Sequence, residues 1–141
     1  MLEKPDNNSA RKSTPIVSRR FKLTEEGFDF IGKDRKVMVN RPEDGGLIEG
    51  PFIVHENGKT YLFVSSDNFA NRNYNSWFSE ISNVADGKAK RHELLLSSDS
   101  PALRGMWDGP GHLAMTKVPN VDSLYKVNVD WTESSAMSAP G

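Results

Sequence analysis

The chain has 141 residues, of which 36% are hydrophobic and 26% are charged, and its formal net charge is −1. With 18 basic residues against 19 acidic ones it has no basic excess to neutralise a phosphate backbone, so we expect no nucleic-acid partner. The absence of cysteine excludes disulfides and thiolate metal sites.

Short extended runs separated by turn residues dominate the middle of the chain, and no helical stripe of useful length interrupts them. We therefore predict an all-β domain over residues 14–131. The polar segment 1–13 and the Ser-, Ala- and Pro-containing segment 132–141 are predicted to be flexible. No apolar run is long enough to span a bilayer, so we expect no membrane partner.

The first predicted strand is Pro15–Leu23, and the residues Thr24–Gly27 then turn the chain. Apolar positions from Phe28 to Val39 predict either a strand pair or one long bent strand, interrupted at Gly32–Asp34. The polar stretch Asn40–Gly46 is predicted to be a loop.

The clearest hairpin joins the strands Phe52–His55 and Thr60–Ser65. Between them, Asn57-Gly58 supplies the positive φ angles that a tight primed turn requires. The run Tyr61–Val64 is apolar on both faces, which predicts a strand covered from above and below.

Four further strands complete the predicted pattern: Tyr74–Ser82, Glu93–Leu96, one that begins at Pro110, and Val121–Trp131. The residues near 48–97 thus predict one four-stranded antiparallel unit flanked by parts of two others. Propeller blades are four-stranded and recur every 40–50 residues or so, so this chain holds about three, fewer than a closed ring needs. A small β-sandwich is the alternative architecture.

Several motifs carry a resemblance to a known family. They are Thr14–Ile16 with Leu23–Gly32, then Leu47–Val54 with its E-G-P triplet, Tyr61–Ser66, and the G-P-G-H element within Trp107–His112. In this order they resemble the end of the second blade, the third blade and the start of the fourth blade of family 43 glycoside hydrolases. The resemblance implies part of a five-bladed β-propeller.

The same resemblance implies inverting hydrolysis of arabinose- or xylose-containing glycans by three carboxylates, with no required cofactor. Of these three, only the general acid maps onto this chain, as Glu49. A carboxylic acid suits this role because the leaving glycosidic oxygen must receive a proton as its bond breaks. The general base and the Asp that tunes the acid have no counterpart here. We therefore expect the chain alone to be weakly active or inactive.

The resemblance implies that His112 orients substrate or helps to hold calcium, directly or through water; the alternative is a histidine hydrogen-bonded within a Gly-rich turn. Trp107 and Tyr74 are predicted to bind the sugar by stacking, although aromatic residues are more often core. The rival interpretation from another class is a non-catalytic β-module that binds carbohydrate or a protein partner. Relatives are often secreted, but Met1–Arg20 shows no signal peptide, so the sequence leaves the compartment open.

Overall fold

The computed structural model describes residues 2–3, 15–84, 89, 93–103, 106–122 and 124–133. Within these ranges, nine strands form three antiparallel sheets of three, four and two strands. The strands are β1 (Leu2–Glu3), β2 (Ile16–Thr24), β3 (Gly27–Met38), β4 (Ile48–Glu56), β5 (Lys59–Ser66), β6 (Asn75–Ile81), β7 (Glu93–Leu96), β8 (Trp107–Lys117) and β9 (Tyr125–Glu133). No helix in the described part of the chain is long and apolar enough to cross a membrane.

Most of the two terminal segments predicted to be flexible lies outside the described residues. Within the first, Leu2–Glu3 pairs with Ser18 and Val17 of β2. Within the second, Thr132 and Glu133 end β9.

The first sheet has the order β1-β2-β3. Its strand β3 is continuous through Gly32–Asp34, so the long bent strand is the observed alternative. Ser18 pairs with Arg35 and Arg20 pairs with Ile31, so Gly32–Asp34 lies opposite the single residue Arg19. The predicted interruption is therefore a bulge inside one strand. Arg19 Nε lies 2.5 Å from Asp34 Oδ1 across this bulge.

The second sheet has the order β4-β5-β6-β7 and is the predicted four-stranded unit. Its first hairpin turns at Asn57 (φ +49°) and Gly58 (φ +74°), the left-handed values that a primed turn requires. Strand β7 spans Glu93–Leu96, as the sequence predicts.

The third sheet contains β8 and β9, paired from Trp107 opposite Glu133 to Lys117 opposite Tyr125. Between the second sheet and this one, apolar side chains of both form a cluster whose buried members are Val54, Phe63 and Leu113.

A second apolar cluster lies between the first and second sheets. Its buried members are Ile16, Val37, Ile48, Leu62, Val64 and Ile81. Alternate residues of β5 therefore enter different clusters, with Leu62 and Val64 on one side and Phe63 on the other. The four-stranded sheet is thus covered on both faces, as the apolar run in β5 predicts.

Candidate functional site

Glu49 lies next to a β-bulge near the start of β4. It pairs with Ser65, and Phe52 pairs with Phe63, so Gly50 and Pro51 together face one residue of β5. Gly50 has φ +55°, which glycine adopts without a Cβ clash, and a bulge tolerates a proline that has no N–H to donate. Because bulges redirect neighbouring side chains, the E-G-P triplet sets the direction of Glu49.

The first strand of the next sheet repeats this device. In β8, Asp108 pairs with Thr132 and Gly111 with Asp130, so Gly109 and Pro110 form another bulge, with φ +65° at Gly109. The acid-Gly-Pro triplet of β4 thus recurs at 108–110, in the corresponding strand of the neighbouring sheet. Our sequence reasoning missed this recurrence, although the two triplets are visible in the sequence.

A second bulge follows at once in β8 and positions His112. His112 and Leu113 face a single residue of β9, and His112 has φ +47°, an uncommon conformation for a residue with a Cβ. The His112 N–H donates to Ser65 Oγ at 2.6 Å. Ser65 is the residue that pairs with Glu49, so this bond connects the β8 turn to the strand beside the candidate acid.

Glu49 and His112 are brought together by these bulges. A methyl group at Gly50 would lie 3.4 Å from His112 Cα and 3.5 Å from His112 Nδ1, so the backbone directly after Glu49 contacts the histidine. His112 is exposed and Glu49 is half-buried. The backbone next to Glu49 in β4 and the residue His112 in β8 therefore lie in contact, contributed by adjacent sheets.

Tyr74 contacts both β4 and β8 on the buried side of the site. Its side chain is buried, and its hydroxyl donates to Glu49 Oε1 at 2.7 Å. Its ring lies against Gly111, where a methyl group would come within 1.9 Å of Tyr74 Cε1. With only 1% of the residue exposed, the ring offers no face to a sugar, so the predicted stacking does not fit this position. The hydroxyl is the part of Tyr74 that reaches the site.

The surroundings of Tyr74 keep its hydroxyl protonated. Burial raises the pKa of Tyr74 well above its usual range, and the hydrogen bond and negative charge of Glu49 raise it further. A hydrogen bond from Ser65 acts in the opposite direction, and the charge of Asp130 adds a smaller increase. Tyr74 therefore remains a hydrogen-bond donor across the pH range in which most enzymes work.

Arg72 and Asp108 form an ion pair that sequence reasoning did not find. Arg72 Nε lies 3.5 Å from Asp108 Oδ1, and its terminal nitrogen lies 3.2 Å from Asp99. Asp108 is largely buried, with 18% of its side chain exposed, whereas Arg72 is exposed at 58%. The pair joins the loop before β6 to the β8 bulge.

Trp107 is half-buried at the first position of β8, directly before the Asp108 triplet. It pairs with Glu133. Trp107 therefore lies two residues before the first bulge of β8. Its predicted contact with a sugar stays a prediction.

The calcium expected at His112 stays a prediction as well. Among the described residues, no group of three or more His, Cys, Asp or Glu side chains is arranged to hold a metal ion. Calcium takes six to eight oxygen ligands, and a histidine is a poor match for that preference. The described residues around His112 therefore do not by themselves form a calcium site.

Comparisons with known proteins add to this geometry. No protein-family model matches the chain, and no curated protein matches it. One solved structure that it resembles is described as the crystal structure of a thermostable family-43 glycoside hydrolase, with a TM-score of 0.65 and 17% sequence identity. The match covers 96% of this chain and 50% of that one, so the chain spans half the length of that structure.

At this level of identity the likeness shows the fold alone. The chain is all-β, and its three antiparallel sheets form part of a β-propeller, which confirms the predicted fold class.

Proposed function

We propose that this chain is part of a glycoside hydrolase that acts on arabinose- or xylose-containing glycans, with Glu49 as the general acid. The observation that carries the proposal is the contact between adjacent sheets of Gly50, the residue directly after Glu49, with His112. The propeller fold, similar to that of a family-43 glycoside hydrolase, supports glycoside hydrolysis.

In the proposed reaction, the Glu49 carboxylic acid gives its proton to the glycosidic oxygen as the bond to the sugar breaks. An inverting enzyme also needs a carboxylate base roughly 6.5–9.5 Å away, with a water between base and sugar. We assign that base to the half of the matched propeller that this chain does not span.

His112 is assigned to the substrate. It is exposed beside the candidate acid, and its backbone is held by Ser65 and by the double bulge of β8, so its imidazole can bind a sugar hydroxyl from a fixed position. Trp107, at the start of the same strand, is the proposed stacking surface for a sugar ring.

Hydrolysis of nitrophenyl α-L-arabinofuranoside and nitrophenyl β-D-xyloside by the purified chain tests the acid. Without the base we expect rates lower by about 100- to 10,000-fold than those of a complete enzyme. Any measurable hydrolysis should be slower in Glu49→Gln, most of all on an alkyl glycoside whose leaving group needs a proton, and should be unchanged in Glu56→Gln, a matched change at the other end of β4. A rate on the alkyl glycoside that Glu49→Gln leaves unchanged would refute the assignment.

Calorimetric titration with xylo- and arabino-oligosaccharides tests the binding residues. We expect His112→Ala and Trp107→Ala to weaken binding, and His55→Ala to leave it unchanged, because His55 is exposed and bonds Thr60 in the distal hairpin. Binding that depends on Trp107 in a chain with no Glu49-dependent hydrolysis would favour the non-catalytic carbohydrate-binding module.

A further inference from the structure

Two hydrogen bonds lie on the buried side of the candidate site, and together we call them the donor chain. The His112 N–H donates to Ser65 Oγ at 2.6 Å, and the Tyr74 hydroxyl donates to Glu49 Oε1 at 2.7 Å. Ser65 is 0% exposed and Tyr74 is 1% exposed, so the two hydroxyls in the middle are shielded from water.

The chemistry of the groups fixes the direction of this chain. A backbone N–H can only donate, so Ser65 Oγ accepts from His112 and its own proton is available to Tyr74. Glu49 Oε1 accepts from the Tyr74 hydroxyl, so the phenol proton lies between Tyr74 and this oxygen.

We propose that Tyr74 is a positioning residue that holds Glu49 Oε1 as a hydrogen-bond acceptor, so that the transferable proton resides on Oε2. This inference rests on the proposed general-acid role of Glu49. A general acid must present its proton from one defined oxygen toward the leaving group, and a fixed donor on the other oxygen selects which one that is.

The same arrangement connects the acid to the neighbouring sheet. Gly111 leaves the space that the Tyr74 ring occupies, and the turn that includes Gly111 and His112 starts the donor chain.

Carbon-13 labelling of the tyrosine Cζ atoms tests the donor chain whether or not the chain hydrolyses glycosides. The protein has three tyrosines, and the Tyr74 signal is identified by its loss in Tyr74→Phe. We expect this signal to move in Glu49→Gln, which replaces the carboxylate acceptor of the Tyr74 hydroxyl, and to keep its position in Asp130→Asn, the other carboxylate that acts on Tyr74.

Tyr125 is an internal control, because its hydroxyl donates to Glu56 Oε2 in a second tyrosine–glutamate pair outside the site. Its signal should keep its position in Glu49→Gln and move in Glu56→Gln. A Tyr74 signal that Glu49→Gln leaves in place would overturn the donor chain. The proposed function fails separately, if Glu49→Gln leaves the rate of hydrolysis unchanged.

Leaving-group dependence separates positioning from a merely structural role. Tyr74→Phe keeps the ring against Gly111 and removes only the hydroxyl. We expect it to slow hydrolysis of an alkyl glycoside, which needs the acid, by about tenfold, and to leave a dinitrophenyl glycoside nearly unaffected. Equal losses on both substrates would show that Tyr74 supports the fold and does not position the acid.

Discussion

Among the described glycines, Gly111 has the least space for a side chain. A methyl group there would lie 1.9 Å from Tyr74 Cε1 and 2.5 Å from Tyr74 Cζ, and the clash is with a buried ring. We expect Gly111→Ala to destabilise the fold by about 1–3 kcal/mol, the usual cost of overpacking, measured by urea unfolding.

The double variant with Tyr74→Ala is the control for this prediction. Once the ring is removed, the added methyl has space, so the cost of Gly111→Ala should fall sharply in that background. If Gly111→Ala costs the same stability in the unaltered chain and in Tyr74→Ala, the added methyl group does not clash with the Tyr74 ring.

Tyr74 also gives the fold a dependence on alkaline pH. Its pKa is raised in the folded chain, so the fold favours the protonated phenol. This contribution is complete below the unfolded tyrosine pKa of about 10, and it declines as the pH rises further because only the unfolded state then ionises.

The stability difference between the unaltered chain and Tyr74→Phe should therefore shrink by about 1.4 kcal/mol for each pH unit above about 10. Urea unfolding of both proteins at several alkaline pH values measures it. If the stabilities of the two proteins stay a constant difference apart above pH 10 or so, the raised pKa of Tyr74 is contradicted.

At the residue scale, the sequence indicated Glu49 and His112 and missed the contacts that the buried groups of the site make. Glu49 and His112 stand in recognisable motifs. The partnership of Tyr74 with Glu49 joins positions 25 apart, and Ser65 bonds a residue 47 positions away. Such contacts depend on which strands pair and which sheets pack, and local periodicity carries no record of them.

Among the elements, the β4–β5 hairpin has the turn that its sequence prescribes. Gly58 has φ +74°, and a methyl group there would contact nothing within 4 Å, so any effect of substitution comes from backbone strain alone. Gly58→Ala should cost about 1–2 kcal/mol. Asn57→Gly, which suits the φ of +49°, should cost less, and thermal unfolding compares the two.

The bulges are harder to predict than the turns. The sequence predicts that Gly32–Asp34 interrupts a strand, yet these residues lie opposite Arg19 within one continuous strand. Asp34 is held there by Arg19, whose hydrogen bond lowers the pKa of the Asp34 carboxyl. A glycine among polar residues is typical of both a turn and a bulge, and only the partner strand decides between them.

For the molecule as a whole, stability should depend on the four-stranded sheet between its two apolar clusters. Leu62 is 0% exposed within one of them, so we expect Leu62→Ala to cost about 2–5 kcal/mol in urea unfolding. Leu23, on the first sheet, is 76% exposed, and Leu23→Ala is the matched control, with an expected change within about 0.5 kcal/mol. Similar losses in both would mean that the first sheet is covered in solution.

The architecture followed from the sequence because strand runs, turn signals and ordered motifs all agreed. Tyr61–Val64 indicated a strand covered on both faces, and Asn57-Gly58 fixed one hairpin. The packing order of the three sheets could not be derived in the same way, because it depends on contacts such as those between Leu113 of β8 and Phe63 of β5.

The recurrence of acid-Gly-Pro in β4 and β8 makes the scaffold modular. Each copy presents one carboxylate at an equivalent station of its strand, with a glycine and a proline that keep the backbone shape whatever acid precedes them. The two carboxylates differ in their partners: Glu49 accepts a hydrogen bond from the phenol of Tyr74, and Asp108 forms an ion pair with the guanidinium of Arg72. The chemistry at each position can therefore change through substitution of the acid and its partner, while the backbone bulge is kept.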